Sequence, residues 1–393
     1  MRSPSGYGAV WAERSVRRLL VASLAGRVAF SMLPLGVVVF ATEATGSTAA
    51  PGALVAAFLL TSTLAPVRGR IVDRCGPPAL VAFAAACAAG LLGLWLAGVA
   101  GAPVGVLLVL GALTGATVPP LGPFTRAVWG AALRGRGERL QRVYALDSAG
   151  EEAALIVAPL VVAALVAAGS TGGALIVAAL GLLGGTVGAA RSELTAALAP
   201  APEPAAGAPR RRLPAALWLV IASLLGPGAA LGALNVAVPA LTRAAGQPAS
   251  AGLLLAALAL GTASASLIAG RREWRSSPPR RLALLQLLFA GALAGAAAGA
   301  DRLELVALVF VPAGMAVGAL FVTVYLLVDA LTPPGAGTRA FAWLVAANNG
   351  GIAAGAAGAG ALIAAHTEAT GMWLAVACAL AGVAVALIMG AVA

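Results

Sequence analysis

Four ionisable residues stand inside long apolar runs of this sequence, Arg27, Asp147, Glu151 and Glu152, where a charge is costly and seldom idle. Arg27 follows the apolar stretch Leu19 to Gly26, and Glu151 follows one that opens at Val143. At about 1.5 Å per residue, each lies about 12 Å inside its helix. Burying one such charge alone costs ~2.5–3.5 kcal/mol, so charges at matched depth are expected to pair or to line a wet cavity. Arg27 and Glu151 are expected to pair. Asp147 precedes Glu151 by one turn on the same face, whereas Glu152 is rotated by about 100° and looks elsewhere. Two carboxylates on one stripe, with a guanidinium as rival to the proton, can exchange an ion pair for a protonated acid, which is reversible acid–base chemistry. A permanent structural ion pair is the alternative.

The elements that hold these charges follow from composition. Of 393 residues, 61% are hydrophobic and 10% charged, the mean hydropathy is +0.98, and the charges cluster between apolar stretches long enough to cross a bilayer. This is the pattern of a polytopic membrane protein. Hydrocarbon offers no partner to a backbone amide, and runs rich in Ala, Leu and Gly lack the alternation of a barrel, so the spans are helices. The expected fold class is all-α integral membrane. Windows of about twenty apolar residues place spans at Leu19–Thr42, Ala49–Val67, Leu80–Val99, Val104–Val128, Val143–Ala168, Gly172–Ala190, Leu213–Leu241, Ala249–Ala269, Leu282–Ala298, Leu303–Leu331, Ala340–Ala365 and Thr370–Val392.

The net charge of +11 sits almost wholly in alternate loops, at Arg14 to Arg18, Arg68 to Arg74, Arg134 to Arg142, Arg210 to Arg212 and Arg271 to Arg281. That is the positive-inside pattern: it argues orientation, puts both termini in the cytoplasm, and makes a nucleic-acid partner unnecessary. Every basic residue is arginine, a compositional bias with no physical demand behind it, since lysine snorkels equally well. Cys75, Cys87 and Cys378 make no disulfide framework and no metal set. The single histidine, His366, lies beside Glu368 at an outer edge, and no nucleophile or metal-ligand spacing supports an enzyme. No cofactor is expected.

The chain also repeats itself. Gly69-Arg70-Ile71-Val72-Asp73-Arg74-Cys75-Gly76-Pro77-Pro78 follows the second span, and Gly270-Arg271-Arg272-Glu273-Trp274-Arg275-Ser276-Ser277-Pro278-Pro279 follows the eighth; both are expected to be loops. Arg142-Val143-Tyr144-Ala145 is echoed by Arg339-Ala340-Phe341-Ala342, and Asn348-Asn349 stands where Glu151-Glu152 stands in the first half. A Pro-rich polar stretch separates the copies. The expected division is 1–190, a linker at 191–213, and 214–393.

Twelve spans in two sixes, a longer central linker, and Gly-x-x-x-Asp-Arg-x-Gly at Gly69, Asp73, Arg74 and Gly76 resemble the major facilitator superfamily of secondary transporters. The resemblance covers essentially the whole chain. It departs where Pro77 and Pro78 replace basic residues, where Trp274 takes the aspartate position of the second copy, and where Ala158-Pro159 only weakly meets a Gly-Pro pattern of drug antiporters. The resemblance implies two pseudo-symmetric six-helix bundles, alternating access to a central site, and a gate at the loop after the second span. There Asp73 can accept from an adjacent helix N-terminus or pair with an arginine such as Arg126.

The same resemblance puts the first, fourth, seventh and tenth spans around the cavity, with Ser31, Met32, Thr117, Asn235, Thr323 and Tyr325 on its wall. Asn348 and Asn349 either face the substrate or tie helices together. So sparsely polar a wall suits an amphipathic or hydrophobic compound. The leading expectation is a proton-coupled exporter, monomeric, in the cell membrane, with the lipid bilayer, protons and a small-molecule substrate as partners. Proton-coupled uptake of a small metabolite is the alternative, and a non-transporting membrane enzyme or scaffold is the one from another class.

Overall fold

A computed structural model of the chain describes residues 6–46, 50–198, 213–248, 250–272, 274 and 276–392. Among them are sixteen α-helices, one 3₁₀ helix and no strand. In chain order the helices are α1 (Tyr7–Ala12), α2 (Arg14–Thr45), α3 (Ala50–Ser62), α4 (Ala65–Cys75), α5 (Pro77–Val99), α6 (Val104–Thr117), α7 (Leu121–Ala132), α8 (Gly137–Ala167) and α9 (Gly173–Ala190). After the central stretch come α10 (Ala215–Ser223), α11 (Leu225–Ala244), α12 (Ser250–Ala269), α13 (Pro278–Ala298), α14 (Leu303–Leu331), α15 (Gly337–Ala365) and α16 (Glu368–Val392). Residues 199–212, most of the expected linker, lie outside the described residues.

Among the described residues ten spans are long and apolar enough to cross a bilayer, and the bent pair α3–α4 makes an eleventh. The remaining expected span is α15, a helix of 29 residues that carries Asn348 and Asn349 and falls outside that set. The chain is an all-α membrane protein of the twelve-helix type.

Three expectations about local structure are corrected. The second, fourth and seventh spans are each two helices, α3–α4, α6–α7 and α10–α11, because proline cannot donate to the carbonyl four residues back and its ring crowds it. The segment holding Gly69, Asp73 and Arg74 is not a loop: α4 runs helically to Cys75, bent by 44° from α3, and only Gly76, at φ 73°, ends it. The first and fifth spans begin earlier than their apolar windows, at Arg14 and Gly137, because arginines extend a helix as well as apolar residues do.

The helices form two compact units: Met1–Arg134, Ala153–Ala206 and Pro334–Ala342 in the first, and Gly135–Glu152, Gly207–Pro333 and Trp343–Ala393 in the second. In the first unit α2 packs on α9, α3 on α6, and α5 on both α6 and α9. Met32, Leu33, Phe40, Leu54, Phe58, Leu91 and Leu175 form part of its core. In the second unit α11 packs on α16, α12 on α14, and α13 on both α14 and α16. Counted by span, the pairings are the same.

So are the glycines that permit them. A Cβ on Gly185 would stand 2.5 Å from the backbone N of Gly26, and a Cβ on Gly226 would stand 2.5 Å from that of Gly382. Lipid supplies no hydrophobic drive between helices, so such close backbone contact is what holds them together.

Candidate functional site

Asp73 lies one turn after Gly69 on α4, so both face the same way. Its Oδ1 accepts the Thr338 N–H at 2.9 Å and its Oδ2 accepts the Arg339 N–H at 2.8 Å. Those amides open α15, where the first N–H groups have no intrahelical acceptor and the helix dipole presents its positive end. A carboxylate suits that position. Gly69 allows the approach: a Cβ there would stand 3.1 Å from both Arg339 Cα and the Thr338 carbonyl oxygen. Gly337, at the start of α15, abuts Ala127 of α7. Arg74 is exposed, Gly76 caps α4, and Arg126 on α7 is 1% exposed.

The second unit holds the start of α8 in a comparable way, with the polarity reversed. Gln141 Nε2 donates to the carbonyl oxygens of Ala269 and Arg272, at the C-terminal end of α12. Four residues further, the Tyr144 ring meets Tyr325 of α14 edge-on at 5.8 Å, and Ser148 and Ser266 share a 3.0 Å hydrogen bond. One latch offers a carboxylate to a helix start, and the other offers an amide NH₂ to a helix end. Gln141 was not legible as a site residue because it sits between Arg139 and Arg142, in what reads as a basic loop. The signal for it was the repeat itself, since Arg142 and Arg339 occupy matching places.

The buried charges divide between the units. Arg27 on α2 is 9% exposed, and its Nη2 donates to Thr125 Oγ1 of α7 at 3.3 Å, while Thr125 Oγ1 and Ser23 Oγ lie 3.3 Å apart. Gly122 keeps α7 close to that guanidinium. Arg27 and Arg126 thus share one neighbourhood in the first unit. Asp147, 3% exposed, and the half-buried Glu151 and Glu152 follow one another on α8, in the second unit. The chemistry this set offers is that of carboxylic acids held away from bulk water.

No protein-family model matches the sequence, and no curated protein does. Solved structures do. A bacterial homologue of the iron transporter ferroportin, in an outward-facing state with soaked iron, aligns with a TM-score of 0.76 at 14% identity over 96% of this chain and 99% of that one. The human organic anion transporter MFSD10 aligns with a TM-score of 0.72 at 16% identity, over 95% and 99%. FucP, a major facilitator superfamily transporter in the outward conformation, gives 0.67 at 15%, over 96% and 99%. The chain has the major facilitator fold.

On that fold the residues expected at the central cavity have differing surroundings. Ser31 is half-buried, and Met32 is packed in the apolar core of the first unit. Thr117 spends its hydroxyl on the carbonyls of Leu113 and Thr114 in its own helix, and Thr323 spends its own on Ala319. Asn235 and Asn349 are exposed. Tyr325 stacks against Tyr144 and Phe321. The Oδ1 of Asn348 is buried and no donor reaches it. Among the described residues no three His, Cys, Asp or Glu side chains gather as metal ligands would.

Proposed function

We propose that this chain is a secondary active transporter that works by alternating access, coupling proton movement to export of a small amphipathic or hydrophobic compound across the cell membrane. The halves 1–190 and 214–393, joined by the linker at 191–213, are the moving bodies, with both termini cytoplasmic and one copy of the chain sufficient. The major facilitator fold supports the transporter class. The observation that carries the reading is Asp73: both its oxygens hold the first turn of α15, some 265 residues along the chain, by two hydrogen bonds that one conformation can make and another break.

Proton coupling is assigned to Asp147 and Glu151, with Glu152 beside them and Arg27 as the charge that competes with the proton. Ionisable groups at such depth are tolerated where they carry ions or protons. The sparsely polar candidates Ser31, Thr117, Asn235, Thr323, Asn348 and Asn349 favour an apolar substrate over one needing many converging hydrogen bonds.

The test is purified protein in vesicles with an imposed pH gradient and a panel of lipophilic cations and antibiotics. The expected result is ligand movement that dissipates the gradient, lost in Glu151→Gln. Ligand movement still driven by the gradient in that variant would remove Glu151 from the coupling role. No response of the wild type to any ligand or gradient would overturn the transport reading.

A further inference from the structure

Arg68, in the first turn of α4, is 3% exposed, and no carboxylate among the described residues compensates its charge. Its guanidinium is surrounded by carbonyls. Nη2 donates to Ser62 O at 2.8 Å, and Nη1 donates to Ala116 O at 2.9 Å, Gly115 O at 3.3 Å and Thr61 O at 3.4 Å.

Three of those four carbonyls share one property. In an α-helix the carbonyl of each residue accepts from the N–H four positions later, and proline has no N–H. Ser62 is four before Pro66, Gly115 is four before Pro119, and Ala116 is four before Pro120. Three prolines therefore leave three acceptors without their ordinary donors, on two different spans, and one side chain reaches all three. The breaks are adjacent because α3 packs on α6 with Gly115 against the Phe58 carbonyl. A buried carbonyl without a donor costs about 1–3 kcal/mol, and a bond from a charged donor is stronger than a neutral one. Arginine suits the place because its planar fork serves several acceptors at once. Helix C-terminal ends, which carry partial negative charge, supply the compensation that a carboxylate would. The second unit uses the same device in neutral form: Gln286, fully buried, donates through Nε2 to Ser223 O at 3.1 Å, and Ser223 is four before Pro227.

We propose that Arg68 is a positioning residue, which replaces the donors that Pro66, Pro119 and Pro120 remove and so sets the breaks of the second and fourth spans. The segments beyond those breaks carry the candidate machinery: α4 bears Asp73, and α7 bears Thr125 and Arg126. Arg68 touches none of these and acts on them through the backbone it stitches. The stitching is independent of the transport reading; its consequence for the Asp73 latch rests on that reading.

The prolines themselves provide the test. Arg68→Met is made in the full-length chain with its native prolines, and again in a background carrying Pro66→Ala, Pro119→Ala and Pro120→Ala, where backbone N–H groups return to the three carbonyls. Three quantities are measured: the melting temperature of the purified protein, the spin-label distance between Leu113→Cys and Arg134→Cys, and maleimide labelling of Thr338→Cys, each with Cys75, Cys87 and Cys378 replaced. An unbroken helix would separate labels at 113 and 134 by about 31 Å along its axis.

With native prolines, Arg68→Met is expected to lower the melting temperature by about 5 °C or more, to broaden the distance distribution and to speed labelling. In the alanine background each change is expected to fall to less than half. Equal losses in both backgrounds would make Arg68 ordinary packing and overturn the proposal, as would no loss with native prolines. If Arg68→Met does not accumulate, Arg68→Lys, which keeps the charge without the fork, goes through the same cycle and decides the matter by the same criterion. A failed transport reading would show in the wild-type vesicles and leave the temperature and distance cycles unaffected.

Discussion

Replacing Asp73 by Asn keeps the shape of the side chain and removes its charge. In the structure two backbone N–H groups, of Thr338 and Arg339, each donate to a separate carboxylate oxygen at 2.9 and 2.8 Å. Asn retains one acceptor and turns an NH₂ toward the other amide, so one charge-assisted bond is lost, worth about 1.5–3 kcal/mol. The attraction between the carboxylate and the helix dipole, about 0.3–1 kcal/mol, goes as well. Asp73 is only half-buried, so the low end of these values applies and the total is about 2 kcal/mol. At 1.36 kcal/mol per factor of ten, that shifts the ratio of latched to unlatched molecules about 30-fold. The assay uses Thr338, which is 1% exposed and bonds Asp73 through its side chain as well as its backbone N–H, so the two chains compared both carry the same Thr338→Cys change. Thr338→Cys, in a chain without Cys75, Cys87 and Cys378, is labelled in inside-out vesicles with a membrane-impermeant maleimide. Labelling in Asp73→Asn is expected to be roughly 10–30-fold faster than in the aspartate parent. A rate within twofold of the parent, or a slower one, would refute the argument that the carboxylate holds α15 in a two-state contact.

Two further outcomes follow from the same contacts. Gln141→Leu removes both bonds to the end of α12, at a cost of about 1 kcal/mol, and should lower the melting temperature of the purified protein by about 2–4 °C. An unchanged melting temperature would mean that Gln141 does not hold the start of α8. Gly355→Ala places a Cβ against the Ala229 carbonyl where α15 crosses α11, whereas Gly360→Ala enters open space. The first should lower the melting temperature by about 5 °C or more and the second leave it unchanged; equal effects would mean that the α15 glycines act through helix propensity alone.

Much of the fold was legible because the membrane demands it. The apolar stretches and the confinement of arginine to the segments between them follow from the bilayer as solvent, and the two-hundred-residue repeat is visible beside them in residue type and order. The loop expected around Asp73 was misplaced because polarity was taken for the end of a helix, when Arg68 to Cys75 contains no residue that breaks one. The helix breaks were underestimated for the converse reason. The fourth span was expected to run unbroken from Val104 to Val128, but whether a proline interrupts a helix depends on what takes the carbonyls it leaves, and for Pro119 and Pro120 it is Arg68, some fifty residues away. Gln141 was hidden because a neutral amide among arginines carries no signal until its acceptors are known.

By itself the sequence determined the class of solvent and the all-α, multi-span character of the chain, since both depend on quantities summed along a continuous stretch of chain. It also singled out Asp73, Asp147, Glu151 and Arg27, because a charge near or inside an apolar run stands out from its neighbours. Only the tertiary structure decided what each polar group touches: that Asp73 meets the start of α15, that Gln141 meets the end of α12, and that Arg68 serves two broken spans. Hydrogen bonds act over about 3 Å, and here they join residues tens to hundreds of positions apart, a distance that no reading along the chain can resolve.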